Sequence, residues 1–156
     1  MPPPAVVVEP LNHREWDVAE RIHAVQIAAY EQEARLLGVP EFPPLRRAVA
    51  DVQSSGEQFF GAFLGGALVG VVAVEPGHGT TLCISSLVVA PIAQRSGIGS
   101  ALLHELLHRF SLNTLVVFTA SANTRSLVLY ERFGFVELGR RTSGALELVQ
   151  LARAAG

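Results

Sequence analysis

The spacing of apolar residues changes period several times along this chain, and each change predicts an element. Ala5 to Val8 is a short β-branched run that reads as a first strand, with Pro10 expected to end its pairing. From Asp17 to Leu37 the residues Val18, Ile22, Val25, Ala29 and Leu36 recur at helical spacing, which predicts a helix stopped by Gly38 and Pro40. Pro43 and Pro44 then predict a stiff loop, and a second helix follows over Leu45 to Val52.

Phe59 to Leu64 and Ala67 to Val74 flank Gly65-Gly66, the pattern of two strands joined by a tight hairpin. Thr81 to Val89 predicts a central strand stopped at Pro91, and its polar pair Ser85-Ser86 predicts a bulge. A helix from Ile98 to Phe110, a strand from Leu115 to Thr119 and a helix from Thr124 to Phe133 come next. Two closing strands, Phe135 to Leu138 and Leu146 to Leu151, complete the order. The sequence β, α, α, β, β, β, α, β, α, β, β predicts an α/β sandwich around a mixed sheet.

A chain of 156 residues is one domain's worth, so residues 1–156 are read as a single unit with Met1 to Pro4 as a proline-rich tail. With 49% hydrophobic and 17% charged residues it buries enough apolar surface to offset the entropy of ordering. A net charge of -2 without basic runs disfavours nucleic acid as a partner. All 12 basic residues are arginine, which excludes Schiff-base chemistry and a phosphate-loop lysine. Cys83 stands alone, so neither an internal disulfide nor a cysteine metal cluster is expected, which suits a reducing cytoplasm. The start lacks the pattern of a signal peptide, and no apolar run reaches the roughly 18 to 20 residues needed to span a membrane.

Between the fourth strand and the third helix lies the turn Gln94-Arg95-Ser96-Gly97-Ile98-Gly99-Ser100. Glycines there let backbone approach a bulky anion, and the first helical N–H groups, lacking partners within the helix, point at it. A pyrophosphate suits such a site, with Arg95, Ser96 and Ser100 adding charge and hydrogen bonds. Gly97 to Leu102 lacks the third glycine of a dinucleotide fingerprint, and the following strand does not end in the ribose-binding acid.

Leu87-Val88-Val89-Ala90-Pro91 followed by this turn resembles the acetyl-CoA signature of the GNAT superfamily of N-acetyltransferases. A second stretch, Asn123 to Phe135 with Asn123, Ser126, Tyr130 and Phe133-Gly134-Phe135, is similar to the superfamily's next motif and stands at the expected distance. The resemblance implies a GNAT-like acyl-CoA N-acyltransferase fold, with about seven strands, about four helices and a splay between strands four and five. It implies acetyl-CoA as cosubstrate, no metal, and direct transfer of the acetyl group to a primary amine, with small molecules favoured as acceptors. A homodimer joined through the closing strands is also compatible with it.

By the same resemblance, the backbone of Leu87, Val88 and Val89 pairs with the cofactor arm, and Gln94 to Ser100 hold its pyrophosphate. Asn123 and Ser126 also bind the cofactor, although Asn123 equally reads as a helix cap and Ser126 as a surface residue. Tyr130 matches the general acid that protonates the leaving thiolate, or else packs as an aromatic near Phe133. Many relatives carry an acid in the middle of strand four, where this chain has Ser85 and Ser86. Glu75 or His78, at the end of strand three, are the substitutes for a base, or else solvated turn residues. Tyr30, Glu33 and Phe42 are candidate acceptor walls, Glu33 attracting an ammonium group, or else ordinary helix and loop surface.

Two other readings compete. His104-Glu105-Leu106-Leu107-His108 spells the zinc-hydrolase motif, with Glu131 as a downstream third ligand. On a helix buried through Leu102 and Leu106 those histidines are expected to face solvent, and Ser111 and Thr114 stand where the extended motif needs glycine and histidine. The missing strand-four acid also fits an acetyl-CoA sensor that binds but does not catalyse.

Overall fold

The computed structural model describes residues 5–156, so the proline-rich tail of residues 1–4 lies outside the described residues. The elements are β1 (Val6–Leu11), α1 (Trp16–Leu37), α2 (Val49–Ser54), β2 (Gln58–Leu64), β3 (Ala67–Pro76), β4 (Thr81–Val89), α3 (Ile98–Arg109), β5 (Thr114–Ala120), α4 (Thr124–Arg132), β6 (Val136–Ser143) and β7 (Leu146–Arg153). The seven strands form one sheet in the order β1-β2-β3-β4-β5-β7-β6, antiparallel throughout except for the parallel pair β4-β5.

The helices cover both faces, because the strands alternate their apolar side chains. Val71 and Ala73 of β3 pack with Ala19, Ile22, Val25 and Ala29 of α1 and Val52 of α2. Val72 and Val74 of the same strand face Ile98, Leu102, Leu103 and Leu106 of α3, with Tyr130 and Phe135 in the same cluster. Among the described residues no helix is long and apolar enough to cross a membrane.

Several boundaries differ from the sequence reading. Pro10 does not end β1 but pairs with Phe60, which is tolerated because β1 is an edge strand with one side unpaired. The segment expected to be a helix over Leu45 to Val52 is divided: Pro43–Arg46 form a 3-10 turn, and α2 begins only at Val49, where the Asp51 carboxylate accepts from the Ala48 N–H at 2.8 Å. Leu36 is not part of the buried face of α1, being 74% exposed near the helix end. The closing strands run further than their apolar cores, since β6 and β7 pair through the polar residues Arg140 to Ser143. The hairpin is as expected: Gly65 and Gly66 both have positive φ, the two-residue turn that matches strand twist.

One glycine fixes the position of α3. A Cβ on Gly70 of β3 would stand 2.6 Å from Ile98 Cγ2 and 3.0 Å from Leu102 Cδ1, so the helix reaches its place only because that side chain is missing. Ile98 is the first residue of α3, and this close approach seats the start of the helix directly over the sheet.

Candidate active site

The bulge predicted at the serine pair is present and opens the sheet. Ala73 pairs with Ser86 and Val74 with Ile84, leaving Ser85 as the extra residue of β4. Ile84 packs toward α3 and α4, and so does Leu87, while both serines between them turn toward the α1 side. On the other edge, β4 pairs with β5 only from Thr81 to Ile84. Beyond the bulge β4 stays with β3, and β5 stays with β7. The two parallel strands therefore part at Ser85, and the β5-facing backbone groups of Leu87, Val88 and Val89 are left without a strand partner.

The turn at the mouth of this opening is shaped for an anion. Arg95 has φ 66° and Gly97 φ 76°, left-handed conformations that fold successive N–H groups inward. The N-terminus of α3 has no side-chain cap, so its first N–H groups remain available. Arg95 and Ser96 are exposed beside it, while Gly99 and Ser100 lie in the first turn. A Cβ on Gly99 would meet Leu129 Cδ2 at 3.2 Å, so this glycine also lets α4 close on the turn.

Gln94 has a different position from the one expected of a phosphate ligand. Its amide nitrogen donates to Gln32 Oε1 at 2.5 Å and to the Val89 carbonyl at 3.4 Å, and its oxygen accepts from Arg125 at 2.5 Å. It thereby joins α1, the end of β4 and α4.

Two tyrosines face the opening from opposite sides. Tyr130 is 3% exposed and packs edge-on against Phe135 at 5.2 Å between ring centres. Burial, then the charge of Glu33 and the neighbouring Tyr30, push its phenol well above the ordinary tyrosine range, so it stays protonated. On the α1 side the Tyr30 hydroxyl is 2.8 Å from Ser86 Oγ, which also accepts from Gln26 at 3.3 Å. Tyr30 is raised as well, mainly by burial, with the Ser86 hydrogen bond pulling the other way and Glu33 adding to the rise. Its ring lies edge-on to Phe42 at 6.0 Å.

Asn123 is the helix cap that one reading of the sequence allowed: its Oδ1 accepts from the Ser126 N–H at 3.2 Å. Its amide nitrogen is directed across the opening to Glu33 Oε1 at 3.4 Å. Glu33 is raised above the usual carboxylate range by burial, which this hydrogen bond only partly offsets. Tyr30, Glu33, Asn123 and Tyr130 are thus brought together where the strands part, and Phe42 joins them through its ring contact with Tyr30. Ser126 is half-buried on α4, close to its cap.

Glu75 and His78 are not brought there. Glu75 pairs with Cys83 on the closed side of the bulge, His78 lies in the turn beyond, and both are exposed. The carboxylate that does reach the bulge is Glu57, one residue before β2, which the sequence reading missed. It accepts from Ser85 Oγ, from Ser55 Oγ at 2.6 Å and from Arg47 at 2.5 Å. Burial alone would raise it, but these hydrogen bonds and the charge of Arg47 hold it below the usual range. No local pattern marks Glu57, because it meets Ser85 across a separation of 28 residues.

His104 and His108 are exposed, as the helix facing predicted, and Glu105 is paired with Arg109 at 2.9 Å. Glu131 is exposed on α4, and among the described residues no three His, Cys, Asp or Glu side chains gather as a metal site.

A mixed sheet that opens between two parallel strands, beside an uncapped helix start, defines the acyl-CoA-dependent acyltransferase class of fold. Residues 31–145 match the acetyltransferase (GNAT) domain family, and the chain belongs to that family, whose donor is acetyl-CoA. Over 131 residues it is 40% identical to the UPF0157 protein YqkA of Bacillus subtilis (strain 168); the match spans 83% of this chain and 38% of that protein, well under half its length. Among solved structures, the ribosomal-protein-S18-alanine N-acetyltransferase of Escherichia coli superposes with a TM-score of 0.75 at 20% identity, covering 97% of this chain and 94% of that one. The PaiA N-acetyltransferase of Thermoplasma acidophilum, in complex with coenzyme A, has a TM-score of 0.73 at 15% identity, covering 94% and 98%. A histone acetyltransferase HPA2 and related acetyltransferase from Corynebacterium glutamicum ATCC 13032 gives 0.76 at 19% identity, covering 99% and 98%. At these identities the likeness concerns the fold.

Proposed function

We propose that this chain transfers the acetyl group of acetyl-CoA to the primary amine of a small molecule, by direct attack and without an acyl-enzyme. The observation that carries this reading is the parting of β4 and β5 at Ser85, with a protonated Tyr130 on one side and Tyr30 with Glu33 on the other. Acetyl-CoA supplies an activated acetyl thioester. The unpaired edge of β4 at Leu87 to Val89 is suited to its extended arm, and the turn from Arg95 to Ser100 to its pyrophosphate. Tyr130 holds a proton that a departing thiolate needs, and burial keeps that proton in place at neutral pH. Tyr30 and Phe42 form an aromatic wall for the acceptor, and the carboxylate of Glu33 favours a cationic amine beside it.

The test is thiol release from acetyl-CoA in the presence of amines, amino acids, polyamines, aminoglycosides and peptides with free N-termini. Amine-dependent release with recovery of an acetylated amine is the expected result. Tight acetyl-CoA binding without release to any acceptor would replace this reading with that of a sensor.

A further inference from the structure

The transfer proposed above requires a group that takes a proton from the acceptor, and the strand-four acid is absent. We infer that Glu33 is the catalytic base of this chain, its carboxylate accepting the amine's proton as the nitrogen attacks. This inference rests on the amine-transfer reading.

Three carboxylates come into question, and their surroundings separate them. Glu57 touches the bulge but is saturated: two serine hydroxyls and an arginine occupy it and hold it ionised as a weak base. Glu75 is exposed on the closed side of the bulge. Glu33 lies on the α1 side of the opening, bridged to the first turn of α4 by Asn123, and its one side-chain hydrogen bond among the described residues, at 3.4 Å, is long. No arginine pairs with it among the described residues. Its charge acts on Tyr30 of its own helix and Tyr130 of α4, both neutral, and among the described residues no cation contributes to its own shift or weakens its basicity. The cation on the nearby surface of α4, Arg125, is engaged by Gln94. Burial adds to this by lifting Glu33 toward the pH at which a base works.

The step balances with these two residues. The amine lone pair forms the N–C bond to the acetyl carbonyl carbon, the C–S bond breaks, the nitrogen's proton passes to Glu33, and the sulfur takes the phenolic proton of Tyr130. Proton exchange with solvent through the shared opening returns both groups to their starting states. Because Glu33 acts on Tyr130 electrostatically, neutralising Glu33 also eases the formation of the phenolate.

The experiment compares wild type with Glu33→Gln, using acetyl-CoA as donor and benzylamine, spermidine, a peptide with a free N-terminus, and hydroxylamine as acceptors. For amines that wild type acetylates, kcat/KM is expected to fall roughly a hundredfold or more. The acidic limb of the pH profile should vanish, acetyl-CoA affinity by calorimetry should stay unchanged, and hydroxylamine, whose weakly basic nitrogen sheds its proton readily, should lose far less. An unaltered kcat/KM and acidic limb in Glu33→Gln would overturn the assignment. The Glu33 carboxyl is also followed by 13C NMR titration, with Glu33→Gln identifying its signal. A midpoint at or below that of an ordinary glutamate overturns the assignment whatever the turnover. If wild type acetylates none of the amines, the amine-transfer reading fails instead, and the two failures are told apart.

Discussion

Asn123 donates to Glu33 across 3.4 Å, and this contact joins α1 directly to the start of α4 over the gap between β4 and β5. The same asparagine caps the helix that carries Tyr130, seven residues further and therefore two turns along on the same face. One residue thus sets both the entry of α4 and the environment of the carboxylate opposite. Replacing Asn123 with alanine is expected to cost about 1 kcal/mol through the lost cap and to lift Glu33 further, moving any Glu33-dependent acidic limb to higher pH.

Glu33→Gln is expected to stabilise the fold at neutral pH while impairing turnover. The folded-state pKa of Glu33 is raised, so the folded chain binds its proton more tightly than the unfolded one. Stability from this group is fully present below the unfolded value, near pH 4.3, and is lost as pH rises through the folded value. Glutamine removes that loss, so urea midpoints of variant and wild type should converge in acid and separate, in the variant's favour, toward neutral pH.

Glu57→Gln is expected to behave oppositely. Its folded-state pKa is lowered, so its contribution is present above the unfolded value and disappears as pH falls through the folded one. The variant leaves Arg47 without its partner and should lose about 1–3 kcal/mol at neutral pH, an upper range tempered because Arg47 still reaches solvent. Urea unfolding at neutral and acid pH measures this, with the difference shrinking in acid.

Tyr130→Phe keeps the ring packed on Phe135 and removes only the acid. Acetyl-CoA affinity should be nearly unchanged, while kcat falls roughly a hundredfold or more. A variant that lost affinity and kept kcat would place Tyr130 in packing alone.

Gly70→Ala places a methyl group 2.6 Å from Ile98 Cγ2, at the first residue of α3. Overpacking there should cost about 1–3 kcal/mol and displace the helix start that faces the turn. A lowered Tm together with a raised KM for acetyl-CoA is the expected pair of results.

The order of elements, the bulge, the hairpin glycines and the turn before α3 were legible in the sequence because each depends on neighbours in the chain. Ser85-Ser86 interrupts an apolar strand, and Gly97 supplies a left-handed residue at a helix start. The outward facing of His104 and His108 followed from helical period alone. That Pro10 stays within β1 is not legible locally, since nothing near it in the chain reveals that its strand lies at an edge.

What tertiary structure decided was which carboxylate meets which partner. Glu57 reaches Ser85, Glu33 reaches Asn123 over 90 residues, and Glu75, also a glutamate, stays in solvent. The composition and spacing of the chain name the acids and the tyrosines. Their pKa directions arise from burial and long-range partners, and those exist only once the α1 and α4 layers close on the two sides of the parted strands.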